Sequence, residues 1–309
     1  MQVVHGHRNS PAWDGAAIAI GNFDGVHVGH RELITRAREL AAAHRARTVA
    51  LTFDPHPSVL FSPAQAPPML TSIERRIELL AEAGVDAVVV EPFTRELAGV
   101  PPDAFIDDVV ISALRARAVV VGYDFTYGQG RTGTTDLLRT HGLQAGIDVA
   151  VVPPVTVDGE IASSTKVRGH LRAGDLARAE RMLGRRWDVD GVVVHGAQRG
   201  RAIGVPTANI KPEVELAIAP GIYAVTLRVE GGAAMAAVAS LGTNPTFVDA
   251  GRLVLEVHVL DWSGDLYDHR VRTTFVARLR DEQKFDSVEA LVVQIQRDIA
   301  RARVALAPR

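Results

Sequence analysis

"GNFDGVHVGHREL", residues 21–33, stands where an apolar run, AAIAI at 16–20, hands over to a helical pattern. A strand that turns through glycine into a helix is the repeating step of a parallel, helix-covered sheet, so the reading of this junction decides the fold class. A helix N-terminus exposes unpaired backbone N–H groups and the positive end of the helix dipole, which makes the start after Gly25 suited to an anion. Gly29 lets a phosphate approach the backbone, and His27 and His30, three residues apart, project from one face of the first turn. Two readings stand at this point. One is a solvated turn begun by Asp24 or Gly25; the other is a phosphoryl or nucleotidyl transfer site, where charge on non-bridging oxygens is stabilised without a protein nucleophile.

The same step recurs on either side of this junction. Short β-branched runs at 16–23, 47–53, 85–93, 117–125 and 147–155 alternate with helical patterns at 31–44, 72–84 and 102–116. Near-continuous apolar strands between amphipathic helices predict a doubly wound α/β sheet covered on both faces, with ligands beyond the carboxyl ends of its strands. DPHP after the second run and GYDFTYGQG after the fourth lie at such ends. The segment 54–72 carries five prolines and exceeds an ordinary connection, which predicts a substrate-covering loop.

After the helical stretch 164–184 the period changes. Runs at 187–196, 221–231, 233–242, 252–261 and 269–280, separated by Gly, Pro, Asn and Asp, predict an antiparallel barrel or sandwich, followed by one long helix at 287–307. Two domains are therefore expected, 1–183 and 184–309, in keeping with a length of 309 residues. Lys plus Arg (34) and Asp plus Glu (36) nearly cancel and are scattered, which argues against a nucleic-acid partner. The absence of cysteine removes disulfides, thiol nucleophiles and cysteine-ligated zinc. No run approaches the roughly 20 apolar residues of a membrane span, so a cytoplasmic protein is expected.

Three further stretches carry chemistry. SSTKVR (163–168) places hydroxyls at a helix start with Lys166 and Arg168 in the next turn, either plain capping or a second oxyanion cradle. GQGRTG (128–133) matches a dinucleotide fingerprint but lacks the acidic residue ending the next strand, so it reads as a glycine loop rather than an oxidoreductase signature. In GAQRGRAIGVPTANI (196–210), Gly196, Gly200 and Gly204 allow close approach to phosphates and Arg199 and Arg201 add charge. Thr207 and Asn209 point to one side of an extended segment, offering neutral oxygens of the kind magnesium accepts, unless the stretch is a polar hairpin. Along LVLEVHVLD (253–261) the alternation puts Glu256 on the face opposite Leu255 and Val257, as a solvent-facing residue or a general base at a barrel mouth.

Taken in order, GNFDGVHVGH, TFDPHP, VGYDFTYGQGRTG, SSTKVR, RGRAIGVPTANI, PGIYAV, SLGTNPTF, LEVHVLD and KFDSVEAL resemble the prokaryotic bifunctional riboflavin kinase and FAD synthetase family over nearly the whole chain. The resemblance implies an N-terminal adenylyltransferase and a C-terminal kinase barrel. Riboflavin, FMN and ATP are the implied substrates and Mg2+ the implied cofactor. It implies that His27 and His30 act on the α-phosphate of ATP and that Glu256 takes the proton from the ribityl 5′-hydroxyl. It further implies Thr207 and Asn209 as holding Mg-ATP, Gly21, Phe23, Asp24, Gly29, Ser164, Thr165, Arg168, Gly200 and Gly204 as ATP- or phosphate-binding, and Asp124 as lying in a flavin-side loop. One departure is DLYDH, where Asp268 replaces the family's usual glycine.

Overall fold

The computed structural model describes residues 1–196, 200, 203–243 and 253–307. By contact the chain divides into two compact units, one of residues 1–67 and 73–163, the other of residues 68–72 and 164–309.

In the first unit six strands, β1 (Gln2–His5), β2 (Ala16–Ile20), β3 (Arg47–Asp54), β4 (Ala87–Pro92), β5 (Ala116–Gly122) and β6 (Asp148–Val152), form a sheet in the order β1-β4-β3-β2-β5-β6. Every pairing is parallel. All five residues of β2 are buried, which explains why this strand carries no polar alternation. Successive residues feed opposite faces: Ile18, Leu51 and Val119 join one apolar cluster, and Ala19, Ala50 and Val120 join the other. The helices here are α1 (Val28–His44), α2 (Pro57–Phe61), α3 (Ile73–Glu82), α4 (Arg95–Ala98), α5 (Pro102–Ala104) and α6 (Thr135–Ala145), with a short hairpin of β7 (Thr156–Val157) and β8 (Glu160–Ile161) at the end.

Three details depart from the sequence reading. The edge strand β1 was not predicted, being four residues long with one buried side chain, Val4. The helix foreseen at 102–116 continues beyond α5 as a π-helix, Phe105–Ala113. The segment 54–72 is not a plain loop: it forms α2 and a 3-10 turn at Pro63–Gln65, and residues 68–72 belong to the second unit.

The second unit opens with α7 (Ser164–Arg172) and α8 (Leu176–Leu183), broken at Gly174, whose φ of 74° is left-handed. Six strands then close a barrel in the order β10-β13-β12-β11-β14-β9, all antiparallel. They are β9 (Asp188–Val194), β10 (Ala208–Pro212), β11 (Gly221–Val229), β12 (Ala234–Thr243), β13 (Leu253–Val259) and β14 (Arg270–Arg280). Leu255 and Val257 pair in register with Leu241 and Ala239, and all four are fully buried in the barrel interior. The terminal helix α9 (Val288–Leu306) lies on the outer surface, where its Ala302 packs with Ile222, Ala224 and Leu279. Residues 68–72 form a strap within this unit. Leu70 is fully buried, its carbonyl accepts the Trp187 indole N–H at 3.0 Å, and the Pro68 carbonyl accepts from Arg168 Nε at 2.7 Å.

Candidate active sites in the two units

β2 is hydrogen-bonded to β3 on one side and β5 on the other, so the chain's winding reverses there and a crevice opens at the strand ends. The GNFDGVH turn follows β2 into that crevice, and Asp124 follows the neighbouring β5. The turn is strained. Phe23 and Val26, both fully buried, hold left-handed φ values of 49° and 43° on either side of Asp24 and Gly25. Such outliers persist where surrounding packing over-determines them, commonly at functional sites.

His27 is the N-cap of α1, and its Nδ1 accepts from the His30 backbone N–H at 3.4 Å. That bond assigns the His27 proton to Nε2, leaving an N–H donor beyond the cap. The two rings stack at 3.7 Å between centroids, and Phe23 meets His30 edge-on at 5.2 Å. Gly29 permits this stack: a Cβ there would sit 3.1 Å from His27 Cε1. The buried Phe23 ring thus packs edge-on against His30 from within the turn.

Burial pushes the His27 imidazole down to about 4. Burial, with His27 and Arg76 alongside, holds His30 well below the usual value. Both rings are neutral at neutral pH and act as N–H dipoles rather than cations. The fixed positive charge comes from Arg76 on α3. Its Nη1 donates to the Phe53 carbonyl at 3.1 Å, and the buried Asp24 carboxylate favours its charged form against the desolvation that lowers it. Ser164, Thr165 and Arg168 occupy the first turns of α7, in the second unit; Thr165 is exposed, while Arg168 is buried and engaged by the strap.

In the barrel, one transverse row of residues crosses five strands. Asn209 of β10 registers opposite Glu256 of β13, Glu256 opposite Ser240 of β12, Ser240 opposite Ile222 of β11, and Ile222 opposite Arg280 of β14. Because α9 covers Ile222 from outside, the row lies on the barrel's outer surface. Leu255 and Val257 take the interior, so Glu256 stands on the outer face of the wall between Asn209 and Ser240. Side chains at Gly196 or Gly200 would run into Asn209 and the Val205 carbonyl, and Gly200 also lies under Thr207, so the glycines leave a cradle around both candidate oxygens. Gly204, at φ 74°, turns the chain into that segment. His258, two residues from Glu256, bonds the Pro206 carbonyl through Nδ1 at 2.7 Å and pins the residue before Thr207. At the far end of the row a cavity of about 510 Å³ opens between β11, β12, β14 and the start of α9. Arg199 and Arg201 lie outside the described residues.

Residues 9–166 match the FAD synthetase family and residues 183–306 the riboflavin kinase family. A bifunctional riboflavin kinase/FMN adenylyltransferase from Pseudomonas fluorescens is 38% identical over 309 residues, covering 100% of this chain and 99% of the relative. The chain belongs to the bifunctional riboflavin kinase/FMN adenylyltransferase family. The corresponding Listeria monocytogenes protein is 37% identical over 284 residues, covering 91% of this chain and 89% of the relative. A crystal structure described as a macrolide-efflux protein from Streptococcus pneumoniae matches with a TM-score of 0.86 at 29% identity, covering 98% of this chain and 99% of that one. Among the described residues no helix is long and apolar enough to cross a membrane.

Two residues at these sites escaped the sequence reading. Arg76 sits on the buried face of α3 with Leu79 and Leu80, and a cation at an apolar helical position was the available signal. His258 shares its strand face with Glu256, and the alternation already placed it there. The glycines of the 128–133 loop have a packing explanation: side chains at Gly128 and Gly133 would meet Pro102 and the Tyr127 ring at 2.7 and 2.8 Å. Arg131 in that loop is exposed and donates to Thr126 Oγ1 at 2.8 Å.

Proposed function

We propose that the two activities of this family, phosphorylation of riboflavin to FMN and adenylylation of FMN to FAD, are carried by the two constellations just described. The observation that carries the assignment is their separation: the stacked histidines belong to one compact unit and the Asn209–Glu256–Ser240 row to the other. The domain division proposed for the two activities is 1–183 and 184–309, with α7 and α8 contributing packing to the barrel unit.

In the kinase unit Glu256 accepts the proton of the ribityl 5′-hydroxyl as that oxygen attacks the γ-phosphorus of ATP, and ADP leaves. The flavin ring occupies the cavity beyond Ser240, while the triphosphate lies on the Asn209 side, in the cradle left by Gly196 and Gly200. Thr207 and Asn209 would hold Mg2+, which when bound neutralises phosphate charge. The glycine cradle around these two neutral oxygens fits such an ion.

In the adenylyltransferase unit the FMN phosphate attacks the α-phosphorus of ATP and pyrophosphate leaves. His27 Nε2–H, the His30 ring and the free N–H groups of Val28 and Gly29 at the start of α1 receive the charge on the non-bridging oxygens. Asp124 is proposed on the flavin side. The test is a paired assay of His30→Ala and Glu256→Gln with ATP and magnesium, following FMN formation from riboflavin and, separately, FAD formation from supplied FMN. Selective loss of FAD in the first and of FMN in the second supports the assignment; an equal fall of both products in either variant overturns it.

A further inference from the structure

The far end of the transverse row is occupied by a cation with no part in the chemistry above. Arg280 lines the cavity together with Ile222, Ser240, Glu282, Phe285 and Leu291. Its guanidinium is held along one edge by Asp298 of α9. Nε lies 2.9 Å from Oδ2 and 3.1 Å from Oδ1, and Nη2 lies 2.8 Å from Oδ2. Asp298 is 2% exposed and also accepts from Gln294 Nε2 at 2.9 Å. Arg280 Nη1 donates to the Asp281 carbonyl at 2.8 Å, and the Phe285 ring lies 5.8 Å away. A guanidinium has five N–H donors. These bonds use one on each nitrogen, so each Nη keeps one more beside the cavity.

The row also sets an order of groups. From Glu256 it passes Ser240 and Ile222, which line the cavity, to Arg280 on the cavity's far side. A substrate spanning the row from Glu256 to Arg280 needs a hydroxyl at one end and hydrogen-bond acceptors on a planar edge at the other. A five-carbon polyol joined to three fused rings, with ring carbonyls and nitrogens on the distal edge, meets both requirements. We infer that Asp298 is a positioning residue that locks Arg280 so that its remaining N–H groups read the acceptor edge of the flavin ring, making the Arg280–Asp298 pair the specificity element for riboflavin. This rests on the assignment of the cavity to the flavin.

The experiment uses the full chain and measures kinase kinetics with riboflavin and with its 2-thio and 4-thio analogues, whose sulfur atoms accept hydrogen bonds poorly. Arg280→Lys keeps a charge to pair with Asp298 but loses the fork, Asp298→Asn frees the guanidinium, and Asp298→Glu tests rescue. In Arg280→Lys and Asp298→Asn the riboflavin KM is expected to rise at least tenfold with kcat within threefold and the ATP KM unmoved, while Asp298→Glu recovers most of the loss. The wild type discriminates riboflavin from a thio analogue, and Arg280→Lys loses that discrimination. Adenylylation of supplied FMN is unchanged throughout. Should Asp298→Asn fail to fold, Arg280→Lys decides alone. Leu291→Trp, which fills the cavity, separates the two claims. If it leaves the riboflavin KM unchanged, the cavity assignment falls. If it raises that KM while Arg280→Lys leaves both KM and discrimination intact, the cavity stands and the Arg280–Asp298 proposal is overturned.

Discussion

His30 sits where three effects converge: the first turn of α1, the face of His27 and the charge of Arg76. Replacing it with Ala removes a donor from the developing phosphate charge, at a cost of roughly 10²-fold in FAD formation, about 2.7 kcal/mol. FMN formation is expected to survive, because the proposed kinase residues lie in the other unit. A second consequence is pH dependence. The folded pKa of His27, about 4, lies below the unfolded value of 6.5, so between these values the unfolded chain takes up a proton that the folded chain refuses. This contribution to stability is fully present above pH 6.5 and is lost as pH falls toward 4, by about 3 kcal/mol. Asn at position 27 keeps an N-cap without a titrating ring. Denaturant titrations of wild type and His27→Asn from pH 7 to 4 check this; parallel curves would show that the ring is not held neutral by the fold.

At the scale of the element, β10 and β13 bring Asn209 and Glu256 face to face although 47 positions separate them in the chain. Asn209→Ala removes one oxygen of the phosphate cradle and is expected to lower riboflavin phosphorylation while FAD synthesis from supplied FMN continues. A normal kinase rate across a magnesium titration would remove Asn209 from the site. The same strands show where sequence reasoning stops. Alternation split Glu256 and His258 from Leu255 and Val257, because a strand has two faces. Which face turns inward is decided by α9, whose contact with Ile222 and Ala224 comes from residues far along the chain. The first unit was easier to read. Strands buried on both faces betray a parallel sheet from composition alone, and a helix start after a glycine turn betrays an anion site. The neutrality of its histidines was not legible, since it comes from burial in the folded chain and, at His30, also from His27 and Arg76 alongside.

At the scale of the whole molecule, each unit carries its own proposed chemistry, and this can be tested by division. A fragment of residues 164–309 retains α7 and α8, and one of residues 184–309 lacks them. Both are expected to convert riboflavin to FMN and to make no FAD, with the shorter one melting lower because Ala179, Met182 and Leu183 of α8 are buried. A folded but inactive longer fragment would show that the kinase site is not contained in the barrel unit. The predicted division at 183/184 and the contact division at 163/164 differ by these two helices. Periodicity marked where strands begin, and the helices' allegiance follows from packing.

The strap has a consequence for how the polypeptide comes apart and goes back together. The chain enters the second unit at Pro68, leaves it after Ser72 and returns at Ser164, so a cut at 163/164 strands one segment of the barrel unit on the other piece. The larger fragment then keeps Trp187 with its indole N–H deprived of the Leu70 carbonyl. The two polypeptides, each with its own proposed activity, are therefore also complements. Mixed, they should recognise one another through five residues, with Leu70 as the plug, and the severed chain should reassemble without a covalent link.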